Sequence, residues 1–175
     1  MITPNDFVIE KVQLKDNQQL AALGRQTFCE SFASQNTQED LQQYINESFS
    51  LEKITKELLN PNSFFYFIKL NTQIVGYLKV NFKDAQTEKV DGNAMEIERI
   101  YIKTKFQGQK LGQLLIHKAL TIARQNKVTY AWLGVWEKNI KAIKFYKSYG
   151  FIDFDKHSFM LGSDMQTDRV MKLIL

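Results

Sequence analysis

In the first half of the chain, apolar residues recur first at the strand period of two and then at the helical period of three to four. Alternation from Phe7 predicts a strand, and an apolar stripe from Leu20 to Phe32 predicts a helix that Asp16 is placed to cap. Two apolar runs on either side of Asn71-Thr72-Gln73 predict a β-hairpin. The predicted elements are a strand over residues 7–14, a helix that ends near residues 34–36, helices from Thr37 and over Leu51–Leu59, and hairpin strands over Ser63–Leu70 and residues 74–82.

After a polar loop over residues 83–93, strands and helices alternate. The run Tyr130–Trp136 is nearly all apolar, which is typical of a strand buried on both faces. Asn139 is placed to cap the last long helix, and Gly150 is placed to close it. This order predicts one α/β domain, a mixed sheet with helices packed on it. The remaining predicted elements are strands over residues 95–103, 151–159 and 169–175 and a helix over Leu111–Gln125.

Composition narrows the class of protein. A chain of 175 residues fits one domain, and 44% hydrophobic with 24% charged residues is ordinary for a globular protein. No run of 18 apolar residues occurs, and Met1-Ile2-Thr3-Pro4-Asn5-Asp6 does not have the pattern of a signal peptide. The single cysteine, Cys29, has no partner for a disulfide, and no Cys/His cluster has metal-ligand spacing. We therefore expect a cytoplasmic protein without a metal.

The net charge of +4 is mild and spread along the chain. Lysines recur every third residue from Lys138 to Lys147, between apolar positions, which is typical of the solvated face of a helix. We therefore expect neither nucleic acid nor a membrane as a partner.

The most informative segment is Gln107-Gly108-Gln109-Lys110-Leu111-Gly112-Gln113, which follows a predicted strand and opens a predicted helix. The free N–H groups and the dipole of a helix N-terminus attract a pyrophosphate, glycines let the backbone approach it, and Lys110 adds a cation. By itself, such a pair of glycines more often marks only a tight turn. The sequence has no G-x-x-x-x-G-K-[ST] and no G-x-G-x-x-G, which excludes a P-loop and argues against a Rossmann dinucleotide site.

Three further segments lie in a fixed order around that loop. Ile100-Tyr101-Ile102 precedes it, Gly134-Val135-Trp136-Glu137-Lys138-Asn139 ends the next strand, and Phe145-Tyr146-Lys147-Ser148-Tyr149-Gly150-Phe151 ends the last helix. Together with the loop, they resemble the acetyl-CoA-binding half of the GNAT superfamily of N-acetyltransferases. The resemblance implies a single domain whose central mixed, mostly antiparallel sheet is splayed at the cofactor site and flanked by helices. It further implies a mainly substrate-side half over residues 1–94, an acetyl-CoA-binding core over residues 95–151 and C-terminal strands over residues 152–175.

A narrower resemblance extends to the C-terminus. Trp132-Leu133-Gly134-Val135-Trp136-Glu137, His157-Ser158-Phe159-Met160-Leu161-Gly162 and Gln166-Thr167-Asp168 are similar to segments of the PaiA-type spermidine/spermine N-acetyltransferases. This resemblance implies a small-molecule amine, a polyamine such as spermidine or spermine, as acceptor. The loop departs from the superfamily pattern at Lys110, which stands where a glycine is usual. If that position needs a positive φ, lysine costs about 1–2 kcal/mol there.

The superfamily resemblance also implies roles for single residues. Acetyl-CoA would be the cosubstrate, and the amine would attack its thioester directly, with no acyl-enzyme. Glu98, slightly preferred over Glu96, would act as base through ordered water, and Tyr146 would protonate the leaving thiolate. The backbone of Ile100-Tyr101-Ile102 would stabilise the charge on the thioester oxygen and pair with the pantetheine arm. The implied cofactor-binding residues are Ile100, Tyr101, Ile102, Gln107, Gly108, Gln109, Lys110, Leu111, Gly112, Gln113, Asn139 and Tyr146.

Plainer explanations exist for several of these residues. Either glutamate could form a salt bridge with Arg99 or a neighbouring lysine, and Tyr146 could be a core tyrosine. His157 could bond within a turn rather than line the amine site. Side chains on the N-terminal helices that are available to a polyamine are Glu30, Glu39, Asp40, Glu47, Phe32 and Tyr44.

Three other functions stay open at this point. They are N-acetylation of proteins or peptides, an acyl-CoA-binding regulatory module with weak catalysis, and a DNA-binding regulator. The absence of a basic recognition helix argues against the last. Many members of the superfamily form homodimers, and the sequence leaves the oligomeric state open.

Overall fold

The computed structural model describes residues 6–161 and 163–175. Two predictions therefore fall partly outside the described residues. They concern Met1 to Asn5, which belong to the segment judged not to be a signal peptide, and Gly162, the last residue of His157-Ser158-Phe159-Met160-Leu161-Gly162. No helix in the described part of the chain is long and apolar enough to cross a membrane. In chain order, the elements are β1 (Phe7–Lys11), α1 (Asn17–Phe32), α2 (Gln38–Ser48), α3 (Leu51–Leu59), β2 (Ser63–Leu70), β3 (Gln73–Phe82), β4 (Ala94–Ile102), α4 (Leu111–Gln125), β5 (Tyr130–Trp136), α5 (Ile140–Ser148), β6 (Ile152–Leu161) and β7 (Asp164–Ile174).

The seven strands form one open sheet in the order β1-β2-β3-β4-β5-β7-β6. Every neighbouring pair is antiparallel except β4 and β5, which run parallel because α4 connects them. That parallel pairing covers only residues 94–96 of β4 and 130–132 of β5. Beyond those residues the two strands separate. The prediction of a mixed, mostly antiparallel sheet that is splayed near its centre is therefore confirmed.

Helices cover both faces of the sheet. Consecutive strand residues point to opposite faces, and in β2 Phe67 packs with α1 to α3 while Ile68 packs with α4. The α4 face is an aliphatic core, and the face under α1 to α3 is rich in aromatic rings. The predicted stripe of α4 is buried in full: Leu111, Leu115, Ala119 and Ile122.

Local signals placed most helix ends correctly. The Thr37 hydroxyl accepts from the Asp40 N–H at 3.2 Å, and the Asn139 side chain accepts from the Ala142 N–H at 3.1 Å. Gly150 follows α5 with a φ of 89°, as expected of a residue that closes a helix. The prediction for Asp16 was wrong in one respect: its carboxylate accepts from the Gln13 N–H, at 2.9 Å, and makes no capping bond to α1.

Two strand boundaries differ from the prediction by more than two residues. β1 ends at Lys11 rather than at residue 14, because Leu14–Asp16 form a short 3₁₀ turn into α1. β7 begins at Asp164 rather than at Arg169. Residues 164–168 are mostly polar, so their sequence carries no strand signal, but they pair with β6 through a tight hairpin in which Leu161 faces Asp164. Gln166-Thr167-Asp168 therefore lies within the sheet.

Candidate functional site

A cleft of about 1030 Å³ opens where β4 and β5 separate. Its walls come from α1, α2, β4 to β7, α5 and the loops before α4 and β4. Of the residues that the sequence assigned to catalysis or cofactor binding, only Gln109 does not line this cleft. Those that do are Glu96, Glu98, Ile100, Tyr101, Ile102, Gln107, Gly108, Lys110, Leu111, Gly112, Gln113, Asn139 and Tyr146.

The loop before α4 is shaped to receive an anion. No described hydrogen bond uses the N–H groups of residues 108–112, whereas the next N–H, of Gln113, is bonded to the Lys110 carbonyl at 3.0 Å. A side chain at Gly108 would meet nothing within 4 Å, so the space beside this backbone is open. Five free amides and a helix dipole at one point fit a pyrophosphate. The described residues thus suit the diphosphate of a coenzyme A derivative.

Lys110 stands where the superfamily usually has a glycine, and it adopts the left-handed conformation, with a φ of 61° and a ψ of 15°. The position therefore does need a positive φ. Its neighbour Gly108 also has a positive φ, of 82°. A non-glycine residue in this region costs roughly 1–2 kcal/mol. The loop therefore carries backbone strain at Lys110.

The two glutamates of β4 are two residues apart and lie on one face of the strand, and a β-bulge occurs at the second of them. Lys79 pairs with Arg99 and the next residue of β3 pairs with Ile97, so Glu98 is the extra residue of the bulge. As a result, the Asn81 amide donates to Glu96 at 2.9 Å and to Glu98 at 2.5 Å. The two carboxylates therefore share one hydrogen-bond donor.

Glu98 is part of a buried ion cluster. Its carboxylate lies 2.5 Å from the Lys79 ammonium and 3.0 Å from the Arg99 guanidinium, and both cations also contact Glu57. Burial raises the pKa of Glu98, but the charges of Arg99 and Lys79 outweigh it and lower that pKa to about 2. The salt bridge with Arg99, the plainer explanation for this residue, is therefore present. A carboxylate held in this way is a weak base.

Glu96 has a different environment. Its side chain is 2% exposed and accepts hydrogen bonds from the Thr87 N–H at 2.9 Å, from the Thr87 hydroxyl and from Asn81. Burial and the nearby charge of Glu98 raise its pKa above the ordinary value. The fold therefore shifts the pKa values of the two glutamates in opposite directions.

Tyr146 lies on the wall formed by α5, where its ring packs against Phe145 at 5.3 Å and against Phe151 at 5.9 Å. Burial raises the pKa of its hydroxyl to about 12, so the phenol keeps its proton at neutral pH. The residue belongs both to the core and to the cleft, so the two explanations offered for it are compatible. Asn139, at the start of the same helix, lines the cleft while its side chain caps α5.

The opposite wall holds a carboxylate to which the sequence gave no role. Asp168 of β7 lies beside Gly134 of β5, and its Oδ2 is 3.1 Å from the point where a Cβ at Gly134 would be. Its Oδ1 is enclosed and has no hydrogen-bond partner among the described residues. Burial raises the pKa of Asp168 to about 6, opposed by His157 and assisted by the charge of Glu88. The sequence signal that could have drawn attention to Asp168 is its place in Gln166-Thr167-Asp168, one of the segments that resemble the PaiA-type enzymes.

His157 lines the cleft and does not bond within a turn. It faces Asp168 across the β6–β7 pair, and its Nδ1 is 2.9 Å from Glu88 Oε1. The side of the cleft formed by β6, β7 and the loop before β4 thus brings together two carboxylates and an imidazole.

Aromatic rings cover the same side. Phe28 stacks on Tyr44 at 4.5 Å between ring centroids, and Phe32 meets Trp136 edge-on at 6.0 Å. The predicted acidic partners on the N-terminal helices fit less well. Glu30 lines the cleft but accepts from the Thr104 N–H at 2.7 Å. The other three, Glu39, Asp40 and Glu47, do not line the cleft.

Comparison with known proteins agrees with this geometry. Residues 25–151 match the model of the Acetyltransferase (GNAT) family. An uncharacterised N-acetyltransferase of Lactobacillus delbrueckii subsp. lactis is 41% identical over 167 residues, which are 95% of this chain and 96% of that protein. The spermidine N(1)-acetyltransferase of Thermoplasma acidophilum is 23% identical over 147 residues, which cover 82% of this chain and 86% of that protein.

Solved structures share the fold. The PaiA N-acetyltransferase of Thermoplasma acidophilum, in complex with coenzyme A, superposes with a TM-score of 0.78 at 21% identity, over 97% of this chain and 99% of that one. A GNAT family acetyltransferase of Elizabethkingia anophelis with acetyl-CoA bound gives a TM-score of 0.61 at 16% identity, over 98% and 99% of the two chains.

Proposed function

The chain belongs to the acetyltransferase (GNAT) family and is an acetyl-CoA-dependent N-acetyltransferase, and we propose that its acceptor is a small amine with several positive charges, a polyamine such as spermidine or spermine. The observation that carries the proposal is the chemistry of the side of the cleft formed by β6, β7 and the loop before β4, which we call the acceptor side. There Asp168 and Glu88 lie beside the rings of Phe32 and Trp136. Carboxylates and aromatic faces are the groups that bind ammonium ions. The name of the Thermoplasma relative supports the same acceptor class.

Acetyl-CoA supplies the acetyl thioester, and residues of this chain suit each part of its binding. The free amides of residues 108–112 would hold the diphosphate. Where β4 leaves β5, the backbone of residues 100–102 pairs with β3 on one side but has no strand on the β5 side, and this free edge would pair with the pantetheine arm. A backbone N–H on the same edge would donate to the thioester oxygen as negative charge develops there.

Two proton transfers accompany direct attack by the amine. The acceptor's ammonium must lose a proton to become a nucleophile, and the sulfur that leaves must gain one. Tyr146 suits the second role, because it lines the cleft and its hydroxyl is protonated at neutral pH. For the first, Glu98 is unsuited since its charge balances Lys79 and Arg99, so Glu96 is the better of the two predicted glutamates.

The test follows the release of free coenzyme A thiol from acetyl-CoA by the purified enzyme. The acceptors are spermidine, spermine, simple diamines, an aminoglycoside, and lysine or N-terminal peptides, with acetyl-CoA alone as the control. Turnover that is selective for spermidine or spermine is expected. Turnover with peptides alone would replace the polyamine by a peptide acceptor. Binding of acetyl-CoA without turnover of any amine would favour a regulatory module and overturn the proposed function.

A further inference from the structure

Asp168 lines the cleft, and one oxygen of its carboxylate is enclosed without a hydrogen-bond donor among the described residues. We propose that Asp168 contacts the acceptor's reacting ammonium directly and accepts its proton before attack. This inference rests on the proposed function and adds a catalytic residue to it, in place of the β4 glutamates that the sequence suggested.

Position is the first argument. Asp168 pairs with Trp136 across the β5–β7 ladder, so both side chains lie on the face of the sheet away from α4. The carboxylate leans over Gly134, two residues beyond the last β5 residue paired with β4. It therefore borders the opening between β4 and β5 from the β7 side, and Glu96 borders it from β4. Because Gly134 has no side chain, the carboxylate has room to pack at this point of the cleft lining.

The second argument is the lack of a partner. Four other carboxylates line the cleft, and each is engaged by the protein itself: Glu30 by the Thr104 N–H, Glu88 by His157, Glu96 by Thr87 and Asn81, and Glu98 by Lys79 and Arg99. Within residues 6–161 and 163–175, Asp168 Oδ1 is enclosed and receives no hydrogen bond. A buried carboxylate oxygen without a donor is unfavourable. The ammonium of the acceptor supplies the missing donor.

The third argument is the balance of charge around this carboxylate. The groups that face it are His157 from β6, Glu88 from the loop before β4 and the Tyr44 hydroxyl from α2. None is a lysine or an arginine, so no permanent cation competes with the acceptor. The pKa of Asp168, raised to about 6 by burial, lies close enough to neutral pH for the group to accept a proton efficiently and release it to solvent.

The step balances simply. One N–H bond of the bound ammonium breaks, and one O–H bond forms on Asp168. The nitrogen keeps the electron pair with which it attacks the thioester. The neutral carboxylic acid returns its proton to water after the product leaves.

The experiment compares Asp168→Asn with Asp155→Asn, a matched control on an exposed residue of the neighbouring strand. Thiol release gives kcat/KM for spermidine between pH 5.5 and 9, and calorimetry gives the affinity for acetyl-CoA. We expect Asp168→Asn to lower kcat/KM at pH 7 by roughly 10²-fold or more and to remove the rise of kcat/KM with pH near 6. Its acetyl-CoA affinity should match that of the wild type, which shows that the variant is folded. The control variant should behave as the wild type.

A second acceptor separates proton transfer from simple binding. A weakly basic amine is already neutral at pH 7, so Asp168→Asn should acetylate it at nearly the wild-type rate. A wild-type-like pH profile for spermidine in Asp168→Asn, or loss of the pH-dependent rise in Glu96→Gln instead, would overturn the role of Asp168 and leave the acceptor class intact. A wild-type enzyme that acetylates no small amine would overturn the acceptor class as well.

Discussion

The ammonium of Lys79 lies 2.5 Å from the carboxylate of Glu98, and both side chains are buried beneath the acceptor side of the cleft. Arg99 and Glu57 complete the cluster, with two positive and two negative charges. Glu98, the extra residue of the bulge in β4, is therefore tied to the neighbouring strand β3 by an ion pair. Glu98 is in this view a structural residue of the site.

Glu98→Gln should destabilise the fold because it leaves Lys79 and Arg99 with uncompensated buried charge. The expected loss is about 3 kcal/mol in the free energy of unfolding, the typical cost of breaking a buried ion pair. Urea unfolding at pH 7 measures it. Glu10→Gln is the control, since Glu10 pairs with Lys69 at the surface and should contribute less than about 1 kcal/mol. Equal, small losses in both variants would show that the cluster does not support the bulge.

The same pair predicts how stability depends on pH. The folded pKa of Glu98, about 2, lies below the ordinary value of 4.5, so the carboxylate adds stability that is complete above about pH 4.5 and is lost as the pH falls towards 2. The difference in stability between wild type and Glu98→Gln should therefore shrink across that window. Unfolding curves of both proteins at a series of pH values measure it. A difference that stays constant down to pH 2 would contradict the lowered pKa.

Tyr146→Phe should lower kcat at neutral pH by roughly 10- to 1000-fold and leave the affinity for acetyl-CoA nearly unchanged, because only the proton donor is removed. Tyr149→Phe is the matched control, since Tyr149 is the C-cap residue of the same helix and does not line the cleft. Steady-state thiol release and calorimetric binding give the two quantities. An unchanged kcat in Tyr146→Phe would leave this tyrosine with its core role alone.

Lys110→Gly should stabilise the fold by about 1 kcal/mol, because glycine adopts a φ of 61° without strain. Lys127→Gly is the control. Lys127 also has a positive φ, of 53°, but does not line the cleft, so the free energy of unfolding of this variant should rise by a similar amount. We expect the affinity of Lys110→Gly for acetyl-CoA to change by less than about threefold, since the free backbone amides hold the diphosphate. A much larger loss of affinity would assign the binding to the lysine ammonium.

The sequence predicted those features that depend on local chemistry. The strand-to-helix loop, the caps at Thr37 and Asn139 and the stripe of α4 follow from residue type and spacing alone. The family resemblance added the order of strands at the splay. These features are local, or recur in a fixed order along the chain, so the sequence displays them directly.

Other features depend on contacts between distant parts of the chain. The ion pair of Glu98 needs Lys79 from the neighbouring strand, and the bulge that brings them together leaves no mark in the sequence. Asp168 sits in a polar stretch that reads as a loop and becomes a strand only by pairing with β6. The environments that separate the pKa values of Glu96, Glu98 and Asp168 are likewise created by folding.

The most direct test of the account is the ratio of kcat/KM for spermidine to that for 1-aminobutane, measured by thiol release at the same acetyl-CoA concentration. The monoamine offers the same reacting group without the additional charges. Binding of those charges by the carboxylates and rings of the cleft predicts a ratio of roughly 100 or more, which corresponds to about 3 kcal/mol. A ratio near 1 would contradict a polycationic acceptor.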